Sequence, residues 1–145
     1  MRIGGQPVDL VRYWWSMAEQ ALASARRELD AGAHPFAIGR LQQAAYYGIY
    51  AALLDRQVTL ERDSAVRVAF MLRFIRTGLL EAEWAKFYDQ LVEDRQEAES
   101  TAHASFDRPY VEAQLARCGE FLEQLRPLFV AAIAEEKAPA DRQLG

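Results

Sequence analysis

An all-α fold, an antiparallel up-down helical bundle of four long helices plus a shorter fifth, is what three features of this sequence predict. Apolar residues recur at three- and four-residue spacing along nearly the whole chain. Short stretches carrying Gly, Pro or Asp separate the periodic segments. No segment alternates polar and apolar residues as a half-buried strand would. Helices of roughly 20 residues are about 30 Å long, and short loops between them favour antiparallel neighbours. One domain is expected over residues 8–134, with residues 135–145, which have no apolar pattern, as a flexible C-terminal tail.

The elements follow in order. Asp9 suits the N-cap of the first helix, whose stripe is Leu10, Trp14, Met17, Ala21, Ala25 and Leu29 until Gly32 stops it. Trp14 and Trp15 are adjacent and so point in different directions; one can enter the core while the other covers a neighbouring surface or lies near a partner. His34-Pro35 opens the second helix, with proline in the first turn, where its missing N–H is harmless. From Phe36 to Leu54 that helix is apolar nearly all round, interrupted by Arg40, Gln42 and Gln43, so it is buried on more than one side. Tyr46, Tyr47 and Tyr50 give it aromatic bulk with hydroxyl tips, which suits either a core or an interface between two copies. Asp63 or Ser64 can cap a third, short helix with Val66, Phe70, Phe74 and Ile75 inward, while Arg67, Arg73 and Arg76 form a solvated face or a phosphate-contacting patch. Asp107 or Ser105 can cap the last long helix, whose stripe is Val111, Leu115, Cys118, Leu122 and Leu125. Pro127 should bend or end that helix, and Leu128 to Ile133 could add a short continuation.

Composition narrows the function. Of the 145 residues 51% are hydrophobic and 26% charged, values of a globular protein. No apolar run reaches the roughly 18 residues that span a bilayer, and MRIGGQPVDL lacks the apolar core of a signal peptide, so a cytoplasmic location without membrane contact is expected. A net charge of −4 has the wrong sign for coating nucleic acid by bulk electrostatics, so any RNA contact must be local. The single cysteine, Cys118, rules out a disulfide framework and a cysteine zinc site. Neither His34 nor His103 follows a glutamate by three residues, which removes the di-iron carboxylate pattern. Gly4-Gly5 lacks the strand and lysine of a phosphate loop. No metal and no organic cofactor is expected.

The fourth helix, around WAKFYDQLVEDRQEAES, carries the most chemistry. Trp84, Tyr88 and Leu91 form its apolar stripe, and the same spacing brings Arg95, and then Ala98 or Glu99, towards the buried face. Arg95, Glu99 and His103 are spaced four apart, so one helical face could present all three. Arginine can hold a phosphate and histidine can move a proton near neutral pH. The same spacing equally fits a structural Arg95–Glu99 pair with His103 in a solvated loop.

The succession WWSMAEQALASARREL, AAYYGIYAALL, DSAVRVAFMLRFIRTGLL, LVEDRQEAES and ARCGEFLEQL resembles, in order and spacing, the HEPN superfamily of small helical domains, in its stand-alone bacterial and archaeal branch. The resemblance implies a homodimer in which the second and fourth helices build the shared face, drawing on Tyr46, Tyr47, Tyr50 and Trp84. It also implies a toxin–antitoxin or defence role linked to RNA or nucleotides, with a nucleotidyltransferase-type protein partner. Active relatives carry an arginine followed by histidine and act as metal-independent ribonucleases; Arg95 matches the arginine, with Glu99 or His103 as the proton-transfer group. Another version follows the arginine with an Asp-Tyr pair, where this chain has Glu99 and Ser100, and seven residues separate Arg95 from His103. Two rival classes are an inert interaction or scaffold domain, and a small-molecule-binding bundle with Trp14, Tyr46 and Trp84 around one pocket.

Overall fold

The computed structural model describes residues 8–100 and 105–130. In chain order its helices are α1 (Val8–Asp30), α2 (His34–Asp55), α3 (Asp63–Phe70), α4 (Ala82–Ser100) and α5 (Arg108–Leu125). A π-helical turn, Met71–Ile75, extends α3, and a 3₁₀ turn, Arg126–Leu128, ends α5. No strand occurs among the described residues. The expected four long helices and one short helix are present, and none among the described residues is long and apolar enough to cross a membrane.

Helix α2 is the hub: α1 packs along it, and α3, α4 and α5 also pack against it. Its small residues explain how one helix serves so many neighbours. Ala44, Ala45, Gly48, Ala51 and Ala52 are buried, and a Cβ added at Gly48 would lie 2.7 Å from Leu122 Cδ2 and 3.2 Å from Leu125 Cδ1. The absence of a side chain there lets α5 approach closely. Across the core, Phe121 of α5 meets Phe70, Trp84 and Phe87 at ring-centroid distances of 5.9, 5.6 and 5.9 Å. The stripes of α3, α4 and α5 are therefore joined through aromatic edges and faces.

Several local expectations change. The α1 stripe begins one residue later than the spacing suggested, with Val11, Trp15 and Ala18 buried before Ala21, Ala25 and Leu29. Trp15 is the tryptophan that enters the core, against Phe129. Asp9 lies in the first turn of α1, not at its cap. Neither Asp63 nor Ser64 caps α3, whose N-cap is Arg62 with no side-chain bond. Asp107 does cap α5, its Oδ1 accepting from Tyr110 N at 2.9 Å. The chain leaves helix at Phe129, which is extended and buried, so no helix continues directly from Leu128. Residues beyond 130, including the expected tail, lie outside the described residues.

Turn chemistry sets the connections. Gly32 takes φ +82° while its N–H and that of Ala33 bond to Leu29 O and Glu28 O, the paired bonds that close a helix through a left-handed residue. The α1–α2 connection is consequently only three residues long, Ala31 to Ala33, so the two helices form an antiparallel hairpin. His34 Nδ1 lies 2.7 Å from Phe106 O, tying the start of α2 to the entrance of α5.

Candidate functional site

Arg95 occupies the last turns of α4, where it faces α2. Its Nε donates to Glu99 Oε2 at 2.9 Å and its Nη1 to Gln42 Oε1 at 2.6 Å. Gln42 in turn donates through Nε2 to the Tyr88 hydroxyl at 3.1 Å. The guanidinium is therefore oriented by two partners, one on its own helix and one across the interface. It is not sealed: the Arg95 side chain keeps 34% of its exposure and Glu99 keeps 62%. The expected turn of Arg95 into the core is thus only half realised. Asp94, one residue earlier, is the polar residue of α4 that is actually buried.

Two open depressions meet at the Arg95–Glu99 pair. One, of about 390 Å³, lies towards the start of α2 and includes Phe36, Gly39, Arg40 and Gln43. The other, of about 380 Å³, lies towards α3 and includes Gln42, Asp63, Ser64, Arg67 and Tyr88. The second is the more acidic. Arg67 is already held by Asp89 through bonds of 2.6 and 2.7 Å, which raise the guanidinium's pKa further. Burial, followed by the neighbouring Asp63 and Asp89 charges, pushes the Tyr88 hydroxyl up to about 12, although the bond from Gln42 opposes the shift. Burial and a hydrogen bond with Asp63 likewise raise Tyr46. Both shifts favour the neutral phenol.

Asp94, the residue before Arg95, ties α4 to α5. It is 7% exposed, accepts from Gln90 Nε2 at 2.9 Å and accepts a short hydrogen bond from the Tyr110 hydroxyl at the start of α5. This clamp joins the end of α4 to the beginning of α5. Tyr110→Phe should cost about 1–3 kcal/mol, because it removes a donor from a buried carboxylate. Thermal denaturation should show a fall in Tm of roughly 3–10 °C; an unchanged Tm would mean that water replaces the hydroxyl freely.

The remaining candidates separate. His103 lies outside the described residues. Tyr46, Tyr47 and Tyr50 are half-buried along α2, where Tyr47 and Tyr50 pack against Trp14 at 5.4 and 5.2 Å and Tyr46 stacks on Tyr50 at 6.0 Å. They line a depression of about 460 Å³ with Thr59, Leu60 and Glu61. Trp84 is elsewhere: it is 3% exposed, packed on Phe87 and Phe121 and covered by the Arg117 guanidinium at 4.4 Å. Its ring is enclosed within the chain's own fold and is unavailable to a partner surface. For the same reason Trp14, Tyr46 and Trp84 do not share one pocket. Cys118 is buried with its thiol pushed up to about 12 by desolvation, which leaves it protonated and unreactive. Gln42 and Asp94 escaped sequence reasoning as site components. The signal for Gln42 was present, a polar residue inside an otherwise apolar helix.

Comparison with known proteins bears on this arrangement. The chain is 26% identical over 119 residues to a UPF0332 protein of Thermotoga maritima, covering 82% of this chain and 90% of that protein. It is 23% identical over 114 residues to a protein of Methanocaldococcus jannaschii named as a candidate toxin, covering 79% of this chain and 78% of the other. The family model described as the HEPN domain matches residues 11–128, from the first buried residue of α1 to the end of the 3₁₀ turn after α5. That match takes in every helix that positions Arg95, and the chain belongs to the HEPN domain family.

Proposed function

We propose that this protein is a dimeric HEPN module of toxin–antitoxin or defence type, in which Arg95 engages a phosphate of RNA or of a nucleotide. The observation that carries this reading is the half-exposed guanidinium at the junction of two open depressions, held by Gln42 and by an exposed carboxylate on its own helix. An exposed ion pair contributes little, so a phosphate, which can take two parallel N–H bonds from arginine, is able to displace Glu99. The candidate-toxin name of the Methanocaldococcus relative supports the biological class. A homodimer and a nucleotidyltransferase-type partner belong to the same proposal.

In its catalytic form the reading is a metal-independent transesterification. The RNA 2′-hydroxyl attacks phosphorus, the 5′-oxygen leaves, and Arg95 balances the charge that builds on the phosphoryl oxygens. Glu99 and His103 are the two proton-transfer candidates, one accepting the hydroxyl proton while the other protonates the leaving oxygen.

Glu99→Gln tests the reading directly. It removes the competing carboxylate, so binding of a labelled single-stranded oligoribonucleotide should tighten roughly 2- to 5-fold, the range given by the weak ion pair, while any cleavage slows. Wild-type protein that neither binds nor cleaves RNA or mononucleotides would overturn it. A second reading, an inert interaction domain, is favoured by the internal pairing of Arg95 with Glu99 and Gln42. It predicts that Glu99→Gln shifts only the melting temperature.

A further inference from the structure

We infer that the depression on the α2 side of Arg95 is a nucleotide subsite, in which an unpaired base stacks on Phe36 and its phosphate is held between Arg40 and Arg95. This rests on the phosphate role proposed for Arg95 and specifies where the rest of the nucleotide lies. Phe36 is the most exposed large apolar side chain among the described residues, at 70%, although it belongs to an otherwise apolar, mostly buried helix. Arg40 stands four residues on, so both side chains rise from one face of α2. Arg40 donates to Gln43 Oε1 at 2.9 Å and, among the described residues, makes no ion pair. Between them Gly39 leaves the floor open, with no atom within 4 Å of where its Cβ would stand. Arg95 and Glu99 complete the opposite wall, and the volume of about 390 Å³ falls within the range of small-ligand clefts.

The chemistry suits a nucleotide better than a purely apolar or purely anionic ligand. An exposed aromatic face accepts any base by stacking, and arginines beside it hold the attached phosphate. The opposite depression, with Asp63 and with Arg67 already paired to Asp89, is the poorer place for an anion. A positively charged local patch also resolves how a chain of net charge −4 could approach RNA.

Fluorescence anisotropy with a labelled single-stranded oligoribonucleotide, and with the same sequence as a duplex, tests the subsite on the full chain. The single strand should bind more tightly than the duplex. Phe36→Ala should weaken binding by roughly 5- to 150-fold, the loss expected for one base stack, and Phe36→Trp should restore it. Gly39→Leu should weaken binding similarly while leaving the melting temperature unchanged or higher, because leucine favours the helix and its side chain fills the depression. Adenosine monophosphate should displace the oligonucleotide at concentrations where inorganic phosphate does not; weaker displacement by the mononucleotide than by unlabelled RNA would identify the polymer as the ligand. Equal displacement by phosphate overturns the stacking. Loss of binding in Arg95→Ala, with Phe36→Ala and Gly39→Leu unaffected, overturns the subsite and leaves the Arg95 reading standing. A wild-type chain that binds none of these probes overturns both. If Phe36→Ala instead changes only the sedimentation coefficient, the face is an interface between copies and the subsite is wrong.

Discussion

Arg95→Ala should reduce binding of single-stranded RNA by roughly 10- to 150-fold, the equivalent of the 1.5–3 kcal/mol of a hydrogen bond to a charged group, and should remove any ribonuclease activity. The same substitution should cost the fold only about 1–2 kcal/mol. A dry ion pair would cost 3–5 kcal/mol on losing one partner, but side-chain exposures of 34% and 62% place Arg95 and Glu99 in contact with water. The bond from Arg95 Nη1 to Gln42 Oε1 is the larger structural loss, and a water molecule can reach the vacated amide. Melting and binding measured on the one variant therefore separate the readings. A Tm lower by about 3–6 °C with RNA binding lost supports a phosphate site. A fall well beyond 10 °C with RNA binding intact would make Arg95 a structural residue.

Phe121→Ala should be the most destabilising single truncation in the core, at about 3–5 kcal/mol. Phe121 is fully buried and touches aromatic rings from α3 and α4 at once. Its loss leaves a cavity that the rigid rings around it fill poorly, besides the transfer energy of the ring itself. Thermal denaturation should show a drop on the order of 10–15 °C. Site function should fall with it only near the lowered Tm, since no atom of Phe121 is in either depression. A drop below about 5 °C would mean that Trp84 and Phe87 repack into the space.

The helical architecture was legible in the residues because periodicity reports burial directly: the run ending at Gly32 does end a helix, and Gly32 takes φ +82°. The burial of α2 on more than one side followed from its lack of a polar face and is observed, with α1, α3, α4 and α5 all packed against it. The register of α1 was not legible. Leu10-Val11 and Trp14-Trp15 offer two adjacent apolar stripes, and only the close approach of α2 and α5 selects Val11 and Trp15. On α4 the spacing placed Arg95 inward, whereas Asp94 is the buried member because Tyr110, distant in sequence, supplies its partner. Trp84 was expected on a surface between copies, yet Phe121 and Arg117 of α5 enclose it. In each case the missing information was a contact between separate helices, which local periodicity does not contain. The Arg95–Glu99 pair, by contrast, lies within one helix and was readable from its spacing.

The π-helical turn at Met71–Ile75 has a consequence for chain length. Arg76 N bonds to Met71 O, five residues back, so this turn holds one residue more than an α-helical turn would. Phe70 and Phe74, four apart, are both directed into the core across this turn, and Leu80, just before α4, is also buried. Deleting the exposed Leu72 would convert the turn to plain α-helix, with the Arg76 N–Met71 O bond becoming an ordinary four-residue one, so the segments on either side need not rotate. The turn therefore absorbs one residue locally, and a chain lacking Leu72 should keep the alignment of Arg95 with Gln42, some twenty residues downstream.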